Sequence, residues 1–75
     1  PSLPADIRRA LENIFPGDAA VFSPEEMFVY GVDASRRHAL PAAVVRPENL
    51  EQVRALLALA QDKRLPVLPR GRGTN

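Results

Sequence analysis

The chain has 75 residues, 45% of them apolar and 25% charged, with ten basic and nine acidic side chains and a formal net charge of +1. A surplus of one charge gives no broad field for nucleic acid or an anionic membrane. With no cysteine and one histidine, the chain has neither a disulfide framework nor a Cys/His metal site of its own, so a fold this short depends on packing, on a partner, or on the rest of a larger protein.

No stretch approaches the roughly 20 consecutive apolar residues of a membrane-spanning helix. The N-terminus lacks the basic, then apolar, then small-residue order of a secretory signal. The expected location is the cytoplasm. A leading helix and connection are expected over residues 1–24, and a second, incomplete domain over 25–75.

Residues 3–15 read as a helix, because Ile7, Ala10, Leu11 and Ile14 fall on one helical stripe. Ser2 is the expected cap, and Pro4 suits the first turn. "FPGD" stops the helix, since Pro16 cannot continue it and Gly17 tolerates a left-handed turn. In "VFSPEEMFVYG", Ser23 followed by Pro24 and Glu26 forms a capping box for a helix of one or two turns. Met27, Phe28 and Tyr30 are expected to form a compact apolar cluster for the core. "GVDASRRHALP" is a polar connection in which Asp33 and Ser35 favour local turns and His38 faces solvent.

"PAAVVRP" predicts a strand over residues 42–46, and its unbroken apolar run suits a strand buried on both faces. The next helix is expected over 50–63. Asn49 is its cap, Gln52 completes a second capping box, and Leu50, Val53, Leu57 and Ala60 form the inner stripe, widened by Leu56 and Leu59. Glu48 and Glu51 at its start and Lys63 and Arg64 at its end complement the helix dipole. "LPVLP" then returns as a strand. Strand, helix and strand predict an α+β architecture built on a right-handed parallel βαβ unit.

"RGRGTN" lies beyond the carboxyl end of that second strand, where ligands gather in open α/β sheets. Gly71 and Gly73 allow a sharp turn whose amides form an anion-binding nest. Thr74 adds a hydroxyl and Asn75 an amide. The Gly-Lys-Ser/Thr step of the P-loop is absent, and the dinucleotide pattern G-x-G-x-x-G is only half matched. A plain turn after a strand, or a small standalone module binding another phosphate, stays open on these residues alone. An Arg-Gly tail for RNA is disfavoured, because the pair is not repeated and the segment has no aromatics.

Taken together, Tyr30, Gly31 and Asp33; Val44, Val45 and Pro47; Glu51, Gln52 and Val53; and Pro69, Arg70, Gly71, Gly73 and Thr74 resemble the start of the FAD-binding domain of the vanillyl-alcohol oxidase/p-cresol methylhydroxylase superfamily. The branch they resemble is that of the glycolate oxidase D-subunit and the FAD-linked D-lactate dehydrogenases. The resemblance covers residues 25–75. It implies a PCMH-type FAD-binding domain in which Pro69, Arg70, Gly71, Arg72, Gly73, Thr74 and Asn75 bind the FAD pyrophosphate. Thr74 stands where some relatives carry a flavin-linked histidine, so the resemblance implies noncovalent FAD. Arg72 departs from the small residue usual in that family.

The implied reaction oxidises a 2-hydroxy acid, of glycolate or D-lactate type, to the 2-oxo acid. The implied partners are that small-molecule substrate and the remainder of the same enzyme or its partner subunits. The family's catalytic residues map to none of these positions, so the chain is expected to be a piece of a longer enzyme. Alone, it is expected to be inactive and to bind little FAD.

Overall fold

The computed structural model describes residues 3–29 and 41–69. The expectations for Ser2, Tyr30, Asp33, Ser35 and His38 lie outside those residues. The described elements are helix α1 (Ala5–Ile14), a 3-10 turn (Gly17–Ala19), strand β1 (Ala20–Val21), helix α2 (Pro24–Val29), strand β2 (Val44–Val45) and helix α3 (Leu50–Lys63). None of these helices is long and apolar enough to cross a membrane.

α1 begins later than its apolar pattern suggests. A residue before proline is pushed out of the α region, which excludes Leu3. Pro4 takes the cap position without any side-chain cap bond, and its carbonyl accepts from the Arg8 N–H at 3.0 Å. At the other end the Phe15 N–H donates to the Leu11 carbonyl at 2.8 Å. Pro16 and Gly17 follow, and Gly17 takes φ 67°, a left-handed conformation that favours glycine.

This reversal sends Ala20–Val21 back as β1. β1 pairs antiparallel with β2, Ala20 opposite Val45 and Val21 opposite Val44. The Arg46 N–H extends the ladder to the Ala19 carbonyl at 2.8 Å.

The expected parallel βαβ unit is therefore not what the described residues form. β2 pairs with a strand that precedes it, and residues 65–69 join no ladder among the described residues. Pro66 and Pro69 supply no backbone donor, and Leu68 is 92% exposed, with no sheet face over it. The helices and the small two-stranded sheet still make the fold α+β.

α2 is held by its capping box. The Glu26 N–H donates to Ser23 Oγ at 3.2 Å, and that hydroxyl donates to Glu26 Oε1 at 3.1 Å. Of the expected apolar cluster, Met27 and Phe28 lie among the described residues, and they part company. Met27 is buried, but Phe28 and Val29 are exposed, because adjacent helical positions point to different faces.

α3 spans the expected residues. Asn49 Oδ1 accepts from the Gln52 N–H at 2.9 Å. The Gln52 side chain reaches back to the Glu48 N–H at 2.7 Å, one residue before the cap. Its Nε2 donates to the Ile14 carbonyl at 2.8 Å. At the opposite end Lys63 Nζ lies 3.7 Å from Asp6. These two contacts put α1 and α3 antiparallel.

The core consists of Ile7, Leu11, Phe15 and Ala20, with Leu56, Leu59, Leu65, Ala43 and Val45 packed against it. Residues on both sides of position 24 share it. The face of α3 that meets this core is rotated from the expected stripe: Leu56 and Leu59 pack against it and Ala60 is buried as expected, whereas Leu50 and Leu57 are 63% and 51% exposed.

Phe15 is fully buried, so in the intact protein Phe15→Ala is expected to lose about 3–5 kcal/mol, and Leu57→Ala under about 0.5 kcal/mol, by denaturant unfolding. Equal losses would contradict this placement. Gln52→Glu keeps the acceptor for Glu48 and removes the donor to Ile14, with an expected loss of about 1 kcal/mol. Gln52→Ala removes both, with an expected loss of about 2 kcal/mol.

Candidate functional site

The candidate site is the loop that follows α3, and the described residues define its approach. α3 ends at Arg64, which adopts φ 57° and ψ 47°. A left-handed residue just past a helix is common, but glycine usually fills the position. For an L-residue with a Cβ, that conformation is unfavourable by about 1–2 kcal/mol.

Two features offset the strain. The Arg64 N–H and the Leu65 N–H both donate to the Ala60 carbonyl, the second at 2.8 Å. These bonds satisfy one of the orphan acceptors at the helix end. Leu65 then folds back onto the core.

The chain leaves this anchor along Pro66, Val67, Leu68 and Pro69, all exposed. Pro69 is the only expected cofactor-binding residue among those described, and it sits at the surface. Arg70, Gly71, Arg72, Gly73, Thr74 and Asn75 lie outside the described residues. The donor set of this segment suits an anion such as a diphosphate: backbone amides at two glycines, a hydroxyl, an amide and two guanidinium groups. No acidic side chain occurs from Leu65 to Asn75 to oppose it.

A second concavity, of about 400 Å³, is lined by Pro16, Asp18, Ala19, Arg46, Pro47 and Glu48. It mixes both charge signs. No polar side chain is buried among the described residues. Nothing in the groove therefore has the desolvated environment that tunes a catalytic acid or base.

Sequence reasoning read Arg64 only as a complement to the helix dipole and missed its backbone. The usual signal, a glycine, is absent. The available signal was Leu65-Pro66, because a residue before proline avoids the α region and a helix stops there.

Residues 41–75, from β2 through α3 into the glycine loop, match the FAD binding domain family. FAD is thus the cofactor that the match indicates. The chain is also homologous to glycolate oxidase subunits. It is 39% identical over 66 residues to "Glycolate oxidase subunit GlcD" of Escherichia coli (strain K12), covering 87% of this chain and 13% of that protein. It is 38% identical over 48 residues to the protein of the same name from Bacillus subtilis (strain 168), covering 63% of this chain and 10% of the relative. The chain therefore spans only a small part of the length of the curated relatives it matches. No solved structure matches it significantly.

Proposed function

We propose that this chain is the FAD pyrophosphate-binding part of a flavin-dependent oxidoreductase that converts a 2-hydroxy acid, of glycolate or D-lactate type, to the 2-oxo acid. One observation carries the reading: the acid-free, glycine-containing loop lies within the stretch that matches FAD binding domains. The glycolate oxidase relatives support the substrate class, and their description as subunits supports an enzyme that works with partner chains.

In this reading Gly71 and Gly73 let the backbone approach the pyrophosphate closely. Thr74 and Asn75 donate side-chain hydrogen bonds, and Arg70 and Arg72 offset the phosphate charge. Pro69 sets the entry into the loop. The surrounding domain is of the PCMH type. FAD, when bound, supplies the acceptor for the two electrons taken from the hydroxy acid. With threonine at position 74, this loop offers no histidine for a covalent link, so the flavin is held noncovalently.

The intact protein is expected to purify yellow and to release its flavin into the supernatant on denaturation; flavin retained on the precipitated protein would contradict noncovalent binding. Replacing Gly71 and Gly73 together by valine is expected to remove the copurifying flavin. Full flavin absorbance in that double variant would overturn the cradle. Flavin reduction on anaerobic addition of glycolate or D-lactate checks the substrate class, and a flavin left oxidised by both would exclude it.

A further inference from the structure

We draw no further inference here: the strongest candidate, the exposed apolar face of α3 formed by Leu50 and Leu57, carries none, because nothing in the structure shows what covers it.

Discussion

The side chain of Gln52 joins α1 to α3 through a part-buried hydrogen bond. Its Nε2 donates to the carbonyl of Ile14, one of the acceptors left without a partner at the end of α1. Its oxygen accepts from Glu48, and its backbone N–H is taken by Asn49. One residue therefore caps the start of α3, closes the end of α1 and fixes the distance between them. The opposite end of the helix pair has only the Asp6–Lys63 contact, at 3.7 Å and solvent-exposed, and exposed ion pairs of that kind contribute little. The antiparallel arrangement depends on the amide and on the apolar contacts that it registers.

Those contacts occupy less than the full apolar arc of α3. Leu56 and Leu59 meet the core under α1, and Leu50 and Leu57 are exposed. Phe28, Val29, Val67 and Leu68 are also exposed. Single exposed apolar residues are ordinary. α1 has one helix face to offer, and Ile7, Leu11 and Phe15 fill it.

What could be read from the sequence was local. The Asn49/Gln52 and Ser23/Glu26 boxes, the span of α3 and the left-handed Gly17 each follow from a few neighbouring letters, and each stands as expected. The rest needed three dimensions. The rotation of α3 was illegible, because its leucines cover a wide arc and only the position of α1 selects among them. β1 is two residues long, too short for any period. Phe15 looked like part of a helix stop and is the most buried residue described. The glycine loop was legible as an anion-friendly turn from its letters, and the flavin came from resemblance to a family.

The proline pattern changes meaning once the strand expectation is set aside. In a ladder, Pro66 and Pro69 are defects that remove donors. Outside any ladder, the same residues remove conformational freedom, and they do so at the positions before them as well as at their own. At the start of the segment, the Ala60 carbonyl and the core each hold one end of the turn formed by Arg64 and Leu65. The left-handed backbone at Arg64 and the donor-poor segment after it thus both follow from where α3 is made to stop.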